Sequence, residues 1–98
     1  MDYQIIWLSK AESRYQEIIE FLKYKWNDRV IEKFIAQTEK VLNQIKQRPT
    51  LFRRSAKMNI HEALITKHNL LIYRINGSNI ELLTFYDTRQ DPKKKWKL

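Results

Sequence analysis

Apolar residues recur along this chain with changing period, and the changes divide it into elements. Tyr3 to Leu8 is apolar on both alternating sets, Tyr3, Ile5 and Trp7 on one and Ile6 and Leu8 on the other, which predicts a short strand buried on both faces rather than a sheet edge. Ser9 and Glu12 follow at capping-box spacing, with the serine oxygen placed to accept an orphan backbone N–H and the glutamate to reach back. A helix is therefore predicted from Lys10. Ala11, Tyr15, Ile18, Ile19, Leu22 and Trp26 then trace one apolar stripe along it. Asn27 and Asp28 offer a cap for a second helix, which carries Val30, Ile31, Phe34, Ile35, Val41, Leu42 and Ile45 at helical spacing. A break of about two or three residues makes the two helices an antiparallel hairpin.

Pro49 prevents the second helix from running far beyond Arg48. From Pro49 to Asn59 the period is lost, and the stretch reads as a loop pinned by Leu51 and Phe52. Three runs rich in β-branched and aromatic residues follow, Ile60 to Thr66, Leu70 to Ile75 and Ile80 to Asp87. The reversals between them fall at Lys67-His68-Asn69 and at Asn76-Gly77-Ser78, where the only glycine of the chain supplies a positive φ. The order β-α-α-β-β-β predicts an α+β fold, a twisted and mainly antiparallel sheet with a helical hairpin on one face. The length of 98 residues suits one domain, 1–98, ending in a basic tail over 92–98.

Composition narrows the chemistry. With 43% hydrophobic residues the chain must have a core, and with no cysteine it has no disulfide, thiolate nucleophile or zinc–thiolate site. Two histidines without convergent carboxylates make a metal site a poor reading, and no cofactor is expected. The longest apolar run near the N-terminus, Ile5 to Leu8, is far short of a signal or spanning segment, so a cytoplasmic protein with no membrane partner is the expectation. Charge is unevenly placed: residues 1–45 hold seven basic and seven acidic side chains, whereas residues 46–98 hold twelve basic and four acidic ones and so carry the whole net charge of +8. That asymmetry favours a polyanionic partner.

Pro49-x-Leu51-Phe52, the run Leu71-Ile72-Tyr73-Arg74-Ile75 and above all Thr84-Phe85-Tyr86-Asp87-Thr88-Arg89-Gln90-Asp91-Pro92 give the chain its likeness to a known group. It resembles the RelE/ParE superfamily of toxins from type II toxin-antitoxin (plasmid stabilisation) systems, over nearly its whole length. The resemblance implies a growth-inhibiting intracellular toxin held in a hetero-oligomer by a cognate antitoxin. Within the superfamily some members are ribosome-dependent endoribonucleases, or mRNA interferases, and others block DNA gyrase.

Cleavage of RNA by its own 2′-hydroxyl needs a group to take that proton, cations around the phosphorus and a donor to the leaving oxygen. The resemblance places an arginine three residues before Tyr73, where this chain has Leu70; another at Arg89, which is present; and a proton-delivering residue near the C-terminus, where Trp96 cannot serve. The expectation is therefore a toxin that binds a cellular target such as DNA gyrase, the alternatives being a metal-independent endoribonuclease using Arg89, Lys57 and Arg54, and a non-toxic nucleic-acid-binding module. Residues expected to meet the target or the antitoxin are Arg53, Arg54, Lys57, Arg74, Tyr86, Arg89, Lys93, Lys94 and Lys95. His61 and Glu62 alternate onto opposite faces of their strand and cannot act as a close pair, and His68 falls in a turn. Tyr73 and Tyr86 are candidates for base stacking, with core packing the competing role.

Overall fold

The computed structural model describes residues 2–55, 59–91 and 93. Strand β1 (Gln4–Trp7) is followed by helices α1 (Ser9–Lys25) and α2 (Asp28–Gln47), then by β2 (Arg53–Arg54), β3 (Ile60–Thr66), β4 (Asn69–Asn76) and β5 (Asn79–Asp87). The sheet order is β1-β5-β4-β3-β2, with β1 parallel to β5 and every other pair antiparallel. The fold is thus α+β with two helices on a mostly antiparallel open sheet. The meander falls where the sequence places it, and Gly77 turns the last hairpin at φ +61°.

Three local expectations are corrected. The first strand is a sheet edge, hydrogen-bonded to β5 alone; it is apolar on both sides because Ile5 and Trp7 pack into the helix-side core while Leu8 reaches the cluster on the outer face. The capping box is not formed: α1 begins one residue early, so Leu8 occupies the N-cap and supplies no side-chain bond. The loop before β3 contains β2, whose two arginines pair with Glu62 and His61. By contrast Asn27 caps α2 as expected, its Oδ1 accepting from the Val30 N–H at 3.2 Å.

Packing is divided by the sheet. On the helix side Ala11, Phe34, Val41, Leu42 and Ile45 meet Ala63, Ile65, Leu71, Tyr73, Ile80, Leu82 and Phe85, each large aliphatic contributing about 1.5–3 kcal/mol through burial. The outer face holds a smaller cluster of Ile60, Ile72, Leu83 and Tyr86. A bulge decides which residues face which way: Tyr73 pairs with Leu82 but Ile72 with Thr84, so Leu83 is the extra residue. That shift turns Leu82 and Phe85 toward the helices and Leu83 and Tyr86 outward. Among the described residues no helix is long and apolar enough to cross a membrane.

Candidate functional site

Helices α1 and α2 and the ends of the strands leave a groove of about 1400 Å³ between them. Lys10, Arg14, Glu17, Phe21 and Lys25 line one wall from α1, and Val30, Lys33, Gln37 and Lys40 the other from α2. Each set recurs at steps of three or four residues and so shares one helix face. From Lys10 to Lys25 the wall runs about 22 Å at 1.5 Å per residue. Its apolar surface comes from Ile18, Leu22, Phe34 and Phe85, while Phe21 and Trp26 stand 50% and 63% exposed at one end. A concave surface with an apolar floor and a few polar groups at its walls is the general form of a binding site.

The groove is also electropositive. Six cationic side chains and two carboxylates line it, and both carboxylates already have partners. Glu17 meets Arg14 at 3.0 Å, and Asp87 takes a two-point contact from Arg89, at 3.0 Å from Nε and 2.7 Å from Nη2. The surplus is carried by lysines on the two helix walls. An exposed guanidinium beside Asp87 holds that carboxyl below the usual carboxylate range, chiefly by hydrogen bonding, and Asp87 in turn raises Arg89.

Outside the groove the predicted residues do not converge. Arg53 and Arg54 lie exposed on β2, and because cross-strand partners share a face, Arg53 sides with Glu62 and Arg54 with His61. Arg74 is turned onto Glu81, its Nε at 2.8 Å and Nη2 at 2.5 Å from one carboxylate oxygen; this bonding lowers the Glu81 pKa. Tyr86, by contrast, lines the strand end of the groove beside Arg89; it is largely buried, with its hydroxyl donating to the Gln90 carbonyl at 2.6 Å. Lys93 is exposed. Lys57, Lys94, Lys95 and Trp96 lie outside the described residues.

The acid–base candidates are likewise held in structural roles. His61 is 5% exposed and stacks on Tyr73 at 5.4 Å, its Nδ1 without a hydrogen-bond partner. Burial, reinforced by Arg54, lowers its pKa. Tyr73 is fully buried and its hydroxyl donates to the Pro49 carbonyl at 2.5 Å, burial pushing the phenol well up. His68 lines the groove by its place in the β3–β4 turn, where its backbone N–H meets the Thr66 hydroxyl at 3.3 Å. Leu70 lies opposite Tyr86, so the position where a nuclease cation was expected is apolar on a largely apolar outer face. Among the described residues no cluster of metal-ligating side chains occurs.

Residues 5–92 match the family described as ParE toxin of type II toxin-antitoxin system, parDE. The chain belongs to that family. Solved structures agree in fold. A protein of the chromosomal ParDE toxin-antitoxin system from P. aeruginosa superposes with TM-score 0.74 at 14% identity, over 87% of this chain and 95% of that one. The YoeB/ParE toxin from Agrobacterium tumefaciens gives 0.62 at 15% identity, over 86% and 96%. A chain of the heterotetrameric YoeB-YefM toxin-antitoxin complex from Staphylococcus aureus gives 0.60 at 13% identity, over 88% and 97%. Comparison with curated proteins gives no match.

The groove brings in residues the sequence reading passed over: Phe21, Lys25, Lys33 and Lys40. A trace of them was available. Phe21 is a large apolar residue lying off the buried stripe of α1, and Arg14, Phe21 and Lys25 repeat at spacings of seven and four along a second face. Counting charge by halves hid the lysines, because of the acids on the two helices only Glu17 lines the groove.

Proposed function

We propose that this ParE-family toxin acts by occupying a cellular target such as DNA gyrase rather than by cutting messenger RNA, and that its antitoxin neutralises it by laying an acidic amphipathic segment in the α1–α2 groove. The observation that carries the first part is the state of the strand arginines. A phosphate-cleaving site needs cations free to follow charge onto phosphorus, yet Arg89 is forked onto Asp87, Arg74 is forked onto Glu81, and position 70 is leucine. The second part is supported by the match between an apolar floor with lysine walls and the opposite pattern on an acidic helix.

Two assays run in parallel test the mechanism. Purified protein is expected to inhibit supercoiling by DNA gyrase and to leave ribosome-bound messenger RNA intact. Ribosome-dependent cutting that disappears in Arg89→Ala would overturn the proposal in favour of an endoribonuclease. Strong salt-sensitive affinity for naked nucleic acid with no growth defect on expression would instead indicate a plain binding module.

A further inference from the structure

β2 is the slightest element of the sheet. It is two residues long, both its arginines are exposed, and among the described residues no strand pairs with its outer side. Its hold on β3 consists of the Arg53–Glu62 and Arg54–His61 pairs and a bond from the Ser55 N–H to the Ile60 carbonyl at 2.8 Å. Phe52, partly buried against the helix-side core, anchors its start.

His61 lies along this seam. Cross-strand pairing sets Arg54, His61 and Tyr73 in one row on the helix side of the sheet. The imidazole is almost wholly buried, its Nδ1 has no hydrogen-bond partner, and its ring stacks on Tyr73. Among the described residues, Arg54 is the charged group that acts on it. Glu62 alternates to the opposite face with Arg53 and Ile72, and α2 contributes Val41, Leu42 and Ile45 to this core, all apolar. Tyr73, the titratable neighbour from β4, is a phenol that burial keeps neutral. A positive charge on His61 would therefore meet a guanidinium and no described carboxylate.

We propose that β2 is an acid-released strap: neutral His61 lets it lie closed on β3, and protonation of His61 lifts it and bares the outer edge of β3 from Ile60 to Glu62. An imidazolium carries a donor at both ring nitrogens, and a buried donor without an acceptor is costly. Relief requires one neighbour to move. Tyr73 is fully buried and tied through its hydroxyl to the Pro49 carbonyl, whereas Arg54 belongs to a two-residue edge, so lifting β2 is the smaller opening. A hydrogen bond to the Asn59 backbone favours the charged ring, but burial and Arg54 outweigh it and hold the pKa below 6.5. Once the strap is open the ring meets water and regains its ordinary proton affinity. Opening and proton uptake are thus linked: the closed strap keeps its full stability above 6.5 and loses it as pH falls toward the lower closed-state value. The bared backbone is a template for strand pairing, so acid would create a surface that neutral pH conceals.

Amide hydrogen exchange of the full chain by NMR, corrected for intrinsic rates and run from about pH 7.5 to about 5.0, tests the strap across the range in which histidine titrates. The His61 ring resonances are followed in the same samples. Protection of the Ser55 amide should fall about tenfold as His61 takes up its proton, while protection in β4 and β5 holds. His61→Phe keeps a ring on Tyr73 and should leave Ser55 equally protected at both ends of the range. Arg54→Gln removes the facing charge and should reduce the fall to about two- or three-fold. A loss at Ser55 that persists in His61→Phe, a loss shared equally by β4 and β5, or a His61 titration that leaves the Ser55 amide unchanged would overturn the strap.

Discussion

The helix groove and the strand ends both display cations, but in different states. On the helix walls Lys25, Lys33 and Lys40 face a groove whose two carboxylates are already taken up by arginines. At the strand ends Arg74 and Arg89 have each been drawn onto a carboxylate of their own hairpin or turn. Positive charge in the sequence is therefore a poor guide to positive field on the surface. The half that is neutral by count supplies much of the electropositive wall, while part of the basic half is cancelled locally.

Reversing the groove is expected to have the largest effect. Phe21→Asp should weaken antitoxin binding at least about 30-fold, the loss of an interface aromatic being worth about 2 kcal/mol. Lys33→Glu with Lys40→Glu should cost about tenfold more at low salt and flatten the salt dependence. Calorimetric titration with the cognate antitoxin at low and high ionic strength measures both. If Arg53→Ala with Arg54→Ala did equal damage and the groove variants did none, the antitoxin would belong on the β2 edge.

Asp87→Asn sharpens the contrast by releasing Arg89 into the groove without altering its length or reach. Affinity for an acidic partner should rise a few-fold, and stability at neutral pH should fall by less than about 1 kcal/mol because the pair is exposed. The pH dependence follows from the lowered Asp87 pKa. As pH falls through the unfolded value of 3.8 toward the lower folded one, the unfolded chain takes up its proton first, so the wild type loses stability that Asp87→Asn never had. Denaturant titrations between neutral and acid pH should show the two curves converging as pH drops.

The fold was more legible than the site because periodicity reports burial, and burial organises the whole sheet and hairpin. Ile60 to Thr66 was readable to the residue and Ile80 to Asp87 to within one, the strand starting at Asn79. What failed were statements needing a neighbour. The double-sided apolarity of β1 looked like a central strand, yet it arises at an edge because the helices cover one face and Leu8 joins a separate cluster on the other. Ser9 and Glu12 have the spacing of a cap, but the helix starts one residue too early to use it. Arg89 and Asp87 are two apart, and the sequence left open whether the guanidinium would turn to its neighbour or to a partner.

His61 carries a smaller effect of the same kind, a cation suppressed rather than matched. Its pKa is lowered from 6.5, so above that value it is neutral in both states and the fold keeps its full stability. Between 6.5 and the lower folded value the unfolded chain is protonated first, and stability falls. His61→Phe keeps a ring against Tyr73 and removes the orphan Nδ1, so its unfolding free energy should be flat from pH 7.5 to about 5.5 where the wild type declines.

The smallest change belongs to Arg74→Ala. Its salt bridge to Glu81 is short, but the arginine side chain is 45% exposed, and an exposed pair contributes about 0.2–1 kcal/mol at most because water and salt screen it. The substitution should shift the midpoint of unfolding little and leave antitoxin affinity unchanged, for a cation already held by its own strand partner adds little to the field a partner meets. A loss of binding comparable to that of Phe21→Asp would mean that Arg74 leaves Glu81 in the complex. The outer face would then have to be counted as part of the working surface, and the distinction between engaged and available cations would not survive.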